Sequence, residues 1–557
     1  MSVLLSCIYI FLSTVSMYTI PFSNLRFSHL FSEFIAGNPL LHSHFPAQNI
    51  QPADWRTIAE SFNGRNELTS AIISTMDGLN LSQEQNENLQ LLAKPKTMAV
   101  VTGQQVGFLG GALYTVLKAY SAVQSAKQIS SEMSLPVVPI FWIEDNDADS
   151  AEAAKTTILS AQNELIPIAC SEELTTTIPV AYHKFGDEIV GVLDNIEATF
   201  PKSEFSEGVM LQLREIYHSG AGWTSAFTKL LQLMLADSGI LFISASLARE
   251  NGLFSRIIRK EIEEFGGTKS IIDHTSTELE KAGFHIQAVA SDVNLFFHYD
   301  GKRLKLRSDD GGNTYTAGEF HFSREQIIRC AEDNPEMFSP NVLLRPIIQD
   351  DIIPTIAYIG GPGEIAYLAQ LHAAYKFFDV QMPMVKPRHS ATFTPPSVVR
   401  FLEKNNFKPD FFMRSWQLIE KELVSRTADA GGEQLFISST AKLKDVFASI
   451  LQYASSIDQS LVGAVNAAQH HTEKQVEDLK KKINSSQKKR HDALFDKSYE
   501  TTSILMPFGE LQERNLSPIS LLIRFGIGQL FGAIRMLSES TPNTHFIVPI
   551  NFPHINQ

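Results

Sequence analysis

Four carboxylates crowd into Glu144-Asp145-Asn146-Asp147-Ala148-Asp149, directly after the apolar run Pro136 to Ile143. Acidic side chains at the carboxyl end of a buried strand can hold a substrate amine, a ribose hydroxyl, or a magnesium ion that accompanies nucleotide phosphates. Asp145, Asp147 and Asp149 imitate the start of an EF-hand loop, but Ser150 and Thr156 stand where that loop needs glycine and glutamate, which excludes calcium binding of that kind. The competing reading is an acidic helix start stabilised by the helix dipole.

Two glycine-rich breaks offer the opposite polarity. From Met98 to Ala126 an apolar run (Met98 to Val101) breaks at Thr102-Gly103-Gln104-Gln105, passes Gly107, Gly110 and Gly111, and resumes at helical spacing with Leu113, Leu117 and Ala122. Strand, turn and helix in that order leave backbone N–H groups pointing into one crevice that suits a phosphate or carboxylate. Thr102, Gly103, Gln104 and Gln105, with Tyr114 and Lys118 on the following helix, are thus candidate substrate- or nucleotide-binding residues. The glycines fit neither the dinucleotide fingerprint nor the P-loop, so a plain tight connection remains the alternative. Gly360-Gly361-Pro362-Gly363-Glu364 repeats the arrangement after the run Ile352 to Ile359, adding Gly360, Gly361, Gly363 and Glu364 to the binding set beside Glu144 and Asp145.

Basic groups follow at Lys386, Arg388 and His389. Arg388 could clamp a carboxylate or phosphate bidentately, Lys386 could neutralise charge developing on phosphate oxygens, and His389 reads as either a general base or a loop residue. Lys386, Arg388 and Asp147 are the candidate catalytic groups. Cys330 lies in a helical context without a nucleophile motif, and no metalloprotease, serine-hydrolase or kinase signature occurs, so no metal ligands are assigned.

The elements that must position these residues alternate between buried strands and helices. Met98 to Ile143 is a strand–helix–strand unit; Gly239 to Ala245 is a further strand after a helix around Leu230 to Leu235; a strand over Ile352 to Ile359 leads into a helix over Glu364 to Phe378; and Met382 to Val385 is a short strand. This order predicts an α/β fold with an open, mostly parallel sheet and ligands at the carboxyl ends of its strands. Asn294 to Leu306 reads as a hairpin turning at Asp300-Gly301, within an insertion near 284–335, and residues 170–222 form a second interruption without a clear period. From Leu443 onward, apolar residues at Val446, Ile450, Ile457, Leu461, Val465, Val476, Leu479 and Ile483 predict a long coiled-coil helix interrupted near His470, His471 and Thr472. A helix over Pro518 to Leu537 is expected to pair with it as a dimerising hairpin. The divisions read as 1–16, 17–392 and 393–557.

At 557 residues the chain exceeds one hydrophobic core. Its net charge of −14 lacks the basic footprint of nucleic-acid binding, and the Lys480-Lys481-Lys482 and Lys488-Lys489-Arg490 clusters read as a solvated helix face. Three separated cysteines, Cys7, Cys170 and Cys330, fit a reducing cytoplasm. Val3 to Val15 is apolar but has no basic residue ahead of it and is short for a bilayer span. It reads as an extension upstream of a natural start at Met17, with a secretory signal as the alternative.

TGQQVGFLGGALYTVLKA, VPIFWIEDNDAD, RPIIQDDIIPTIAYIGGPGEIAYLAQL and MPMVKPR, in this order and followed by a long helical region and by LQER at Leu511 to Arg514, resemble the bacillithiol biosynthesis cysteine-adding family. The resemblance spans the chain from about Tyr18 to its end. It implies a Rossmann-like core with small connecting-peptide insertions, a coiled-coil homodimer, and ligation of the carboxyl group of cysteine to the amine of glucosaminyl malate. Where the family pattern is E-D-H-D, this chain carries Asn146, which puts any proton transfer by that histidine in doubt. The implied amide bond needs an activated carboxylate, hence ATP or another nucleotide, with Mg2+ as its companion. On this reading the glycine-rich turns hold phosphates or the malyl carboxylates, Arg388 and Lys386 stabilise charge, and the acidic cluster receives an amino group. Two other readings fit the same residues: a nucleotidyltransferase that releases pyrophosphate, and a non-catalytic metabolite-sensing coiled-coil protein.

Overall fold

The computed structural model describes residues 17–170, 177–427, 430–539 and 543–550. The proposed extension over 1–16 lies outside them. Residues within Met1–Val399 and Glu510–Gln557 form one compact unit, and Arg400–Gly509 form another.

The first unit is built on five parallel strands in the order Met384–Pro387, Thr355–Gly360, Met98–Gln105, Val137–Glu144, Leu241–Ser244. Their apolar residues are buried on both faces, as helix-covered parallel strands require. The chain starts at the central strand, moves outward through Val137–Glu144 and Leu241–Ser244, then returns to the other side through Thr355–Gly360. This reversal between Met98–Gln105 and Thr355–Gly360 is the switch point at which open α/β sheets form a crevice. The helix Tyr114–Met133 crosses from the central strand to its neighbour.

The first strand runs further than its sequence predicts. Thr102-Gly103-Gln104-Gln105 is not a turn but the last half of the strand, paired residue for residue with Phe141 through Glu144. Gly103 allows the approach: a Cβ there would lie 2.7 Å from the Trp142 carbonyl oxygen. The break comes at residues 106–112, where Gly110 and Gly111 take φ of +84° and +65°. Likewise the helix expected over Glu364 to Phe378 is two, Pro362–Leu368 and His372–Phe377. Tight turns close onto Tyr367 and Leu368, and the buried Gln370 side chain leaves the helix to bond both backbone groups of Ala288.

The hairpin turns at Asp300-Gly301, both at positive φ, between Leu295–Tyr299 and Lys302–Arg307. These strands belong to a second, antiparallel sheet of five. Residues 177–222 hold the helices Glu188–Thr199 and Ser206–Ile216.

In the second unit, Ala430–Ile457 and Val462–Leu505 form an antiparallel helical pair in which residues 436–444 face residues 470–480. The break falls at Asp458, whose side chain caps the Ser460 N–H at 2.8 Å. It does not fall near His470 to Thr472, where no glycine or proline opposes the helix. Lys481 and Lys482 are exposed; the side chains of Lys488 to Arg490 lie outside the described residues.

The helix expected over Pro518 to Leu537 is present as Ile519–Arg535 but belongs to the first unit. It packs on Ser206–Ile216 and on the strand Lys155–Leu159 of that unit. Gly526, at φ +71°, makes room for the Phe205 ring, which a Cβ would approach to 2.7 Å. Finally Thr544–Pro549 lies between Tyr18–Pro21, to which it is antiparallel, and Ser390–Thr394, to which it is parallel. No helix among the described residues is long and apolar enough to cross a membrane.

Candidate active site

The carboxyl ends of the central strands open into a cleft of two adjoining cavities, about 540 and 560 Å³, which share Gln104, Gln105, Tyr114, Glu144, Asp147, Glu152 and Arg514. The larger one sits over the switch point and adds Gly103, Lys118, Gly361, Gly363, Glu364 and Arg388 from the two glycine-bearing segments.

At its floor Lys118, buried on the first crossover helix, donates to the Gly103 carbonyl and to Glu364 Oε2 at 2.6 Å. Glu364 also accepts from the Gly361 N–H (2.8 Å) and the Tyr358 hydroxyl (2.6 Å). Burial lowers the Lys118 ammonium below its usual range. Burial alone would raise Glu364, but Lys118, Tyr358 and the Gly361 N–H more than offset it and hold the carboxyl below its usual range. This pair links the two glycine segments across the switch point.

On one wall, strand alternation puts Trp142 and Glu144 on the same face, and Trp142 Nε1 donates to Glu144 Oε2 at 3.1 Å. Burial raises the Glu144 carboxyl. Asp147 accepts from Gln105 Nε2 at 2.5 Å and pairs with Arg303 at 3.2 Å. The Arg303 guanidinium lies 3.6 Å over the Phe296 ring and also bonds Ser339 and the Pro340 carbonyl. Gln104 Nε2 donates to the Tyr114 hydroxyl at 3.2 Å.

On the opposite wall Arg388 is 5.4 Å from the Tyr114 ring centroid, and its Nη2 pairs with Glu513 at 2.7 Å. The carboxylate that it clamps is therefore the protein's own. Glu513 is fully buried and also accepts from the Ser390 hydroxyl (2.9 Å) and the Ala391 N–H (2.8 Å). Its neighbour Arg514 reaches both cavities.

Four residues read from sequence as site candidates fall outside this cleft. Thr102 donates its buried hydroxyl to the Ile359 carbonyl at 2.9 Å, stitching two strands. Asp145 turns the other way and accepts from the Ser244 hydroxyl (2.7 Å) and the Ser246 N–H (2.8 Å), tying two strand ends together. Gly360 contributes its carbonyl to the Arg388 N–H. Lys386 lies within the last parallel strand, and its charged neighbour is Glu132 on the last turn of the crossover helix. His389 is buried, with Nδ1 2.9 Å from Ser121 Oγ. Conversely, sequence reading passed over Arg303, Arg345, Tyr367, Glu513 and Arg514. Arg345 opens the RPIIQDD segment and Arg514 closes LQER, so both lay inside recognised motifs without a role.

Comparison with known proteins agrees with this architecture. The family model "Bacillithiol biosynthesis BshC, N-terminal Rossmann-like domain" matches residues 15–389, and "Bacillithiol biosynthesis BshC, C-terminal coiled-coil domain" matches residues 391–549. Among curated relatives, a protein of Chloroherpeton thalassium is 31% identical over 96% of this chain and 100% of its own length. One of Salinibacter ruber is 28% identical over 90% of each chain, and one of Chlorobaculum tepidum 30% identical over 87% of this chain and 89% of its own. Each is named "Putative cysteine ligase BshC". The matches cover the Rossmann-like core, its cleft and the coiled coil, and the chain belongs to the bacillithiol biosynthesis BshC family.

Proposed function

We propose that the cleft joins the carboxyl group of L-cysteine to the amine of glucosaminyl malate, forming an amide bond as the last step of bacillithiol synthesis. The observation that carries this reading is a cleft over the switch point whose lining sets Arg303, Arg345, Arg388 and Arg514 against Glu144, Asp147 and Glu152. Such a lining suits reactants that bear both carboxylates and amines, and the names of the relatives supply the amino acid.

A nucleoside triphosphate such as ATP would activate the cysteine carboxylate by phosphorylation or adenylation, turning a poor leaving oxygen into a good one. Its phosphates fit the edge at Gly361 and Gly363, where a Cβ at Gly363 would meet nothing within 4 Å, and the start of the helix Tyr114–Met133. Among the described residues no three His, Cys, Asp or Glu side chains converge on one point, so Mg2+ is expected to arrive with the nucleotide. Lys118, fixed by Glu364, shapes the floor and neutralises that carboxylate. Arg388, fixed by Glu513, keeps its Nε side toward Gly361.

The test is purified protein with L-cysteine and glucosaminyl malate, with and without ATP, followed by mass spectrometry. Amide formed only with nucleotide supports the reading. Equal yield without nucleotide removes the activation step, and pyrophosphate release without amide favours a nucleotidyltransferase.

We also propose a homodimer. Val446, Ile450, Tyr453 and Ile457 recur at coiled-coil spacing along one helix and remain exposed within the helical pair, as a seam for a second copy requires. We place the protein in the cytoplasm: Cys170 and Cys330 are free thiols, and burial pushes Cys170 up to about 12.

A further inference from the structure

The charges of the larger cavity can be matched against one another. Lys118 is taken by Glu364, Arg303 by Asp147, Arg388 by Glu513, and Arg514 by Glu510 at 3.4 Å. Among the described residues three charges lining this cavity have no ion-pair partner: Glu152, which is exposed at the rim shared with the second cavity, and two that lie deeper. One is Arg345, at the start of the helix Arg345–Ile352, whose guanidinium donates to the Tyr367 hydroxyl at 2.5 Å. The other is Glu144, at the end of its strand, whose carboxylate accepts only from Trp142 Nε1 and, at 3.2 Å, the Asn146 N–H. Each influences the titration of the other, yet the two do not reach ion-pair distance. Around them stand Arg303 and Asp145 beside Glu144, and Tyr358 and Glu364 beside Arg345.

A fork-shaped cation and a carboxylate separated by a gap are complementary to a small molecule that carries both opposite charges on adjacent carbons. We propose that Arg345 and Glu144 form a subsite for the zwitterionic head of an α-amino acid, Arg345 holding its carboxylate and Glu144 its ammonium. Arg345 supplies the bidentate geometry that a carboxylate accepts, and Glu144 gains the counter-charge that it lacks. Ala288, Pro340 and Val342 line the same cavity and offer a short side chain an apolar wall. The choice of cysteine as that amino acid rests on the ligase reading above; the head-group assignment does not. The acceptor also carries an amine and carboxylates, but these lie on opposite sides of a glycosidic bond and not on adjacent carbons.

The experiment is calorimetric titration of the full chain with L-cysteine, with cysteamine (no carboxylate), with 3-mercaptopropionate (no amine) and with glucosaminyl malate. The intact protein is expected to prefer L-cysteine over either truncated thiol by on the order of tenfold or more, the size of one charge-assisted contact. Arg345→Gln should bring L-cysteine down to the cysteamine level and leave cysteamine unchanged; Glu144→Gln should bring it to the 3-mercaptopropionate level. If Arg345→Gln does not fold, Arg345→Lys serves, weakening L-cysteine while sparing cysteamine. The assignment is overturned if L-cysteine does not bind, if it binds no better than the truncated thiols, or if the variants weaken glucosaminyl malate and spare cysteine. Amide synthesis measured in parallel separates the two proposals. Product formed with cysteine affinity indifferent to Arg345 sinks only the subsite, and Arg345-dependent cysteine binding without product sinks only the ligase reading.

Discussion

Gly103 and Gly363 both lie in the cleft and both lack a side chain, yet only one of them has to. At Gly103 the Trp142 carbonyl would meet a Cβ at 2.7 Å; at Gly363 there is open space and no positive φ. Gly103→Ala is therefore expected to destabilise the protein by about 2 kcal/mol or more through a backbone shift, and Gly363→Ala, in a helix, to be neutral or to stabilise by up to about 1 kcal/mol. Urea unfolding of the two variants checks the contrast. Removing one member of the buried Lys118–Glu364 pair strands the other, so Glu364→Gln should lose about 3 kcal/mol, with the Lys118→Met, Glu364→Gln double variant losing less than the sum. At this scale residue types were legible but directions were not. Glu144 and Asp145 are adjacent in sequence, and strand alternation sends one into the cleft and the other to Ser244 and Ser246. Lys386 and Arg388, two apart, differ for another reason: one is confined to a strand, the other lies just past its end.

The short segment around Gln512–Asn515 acts as a buckle. Gln512 bonds both backbone groups of Phe393, and Glu513 ties Arg388, Ser390 and Ala391 together. Glu513→Gln should lower turnover more than it lowers substrate affinity, because Arg388 loses its anchor while its charge remains; steady-state kinetics with each substrate reads the split. The neighbouring His545 is fully buried between Ser390 (Nδ1, 2.7 Å) and Thr392 (Nε2, 2.9 Å). Burial pushes it down from 6.5 to about 4. A depressed folded value means that its contribution is complete above pH 6.5 and is lost as the pH falls toward 4, by about 3 kcal/mol. Urea midpoints measured across that range should flatten in His545→Gln. The parallel strands were readable because short apolar runs bounded by glycines suit helix-covered strands, though the run expected from Ile352 begins in the helix Arg345–Ile352 and becomes a strand only at Thr355, and the hairpin because Asp-Gly suits its turn. The buckle was not, since its meaning lies in contacts with residues more than one hundred positions away.

Across the whole molecule, the proposed seam gives a direct expectation: if the protein sediments as the proposed dimer, Ile450→Asp with Ile457→Asp should convert it into a monomer in sedimentation velocity while the helical content holds. The apolar period revealed this helix from sequence, but no local signal revealed that the chain leaves it to rejoin the first unit, because Pro518 to Leu537 is as apolar as a partner helix would be. That return has a bearing on synthesis. Thr544–Pro549 is the middle strand of its sheet, so Tyr18–Pro21 and Ser390–Thr394 have no partner between them until it arrives. While the ribosome is still adding residues, the first strand waits for one translated more than five hundred codons later, and Arg514 is still missing from the cleft. The nascent chain is thus obliged to keep an open edge from the making of Tyr18–Pro21 until Thr544–Pro549 is translated, and its cleft gains Arg514 only after both long helices have been made.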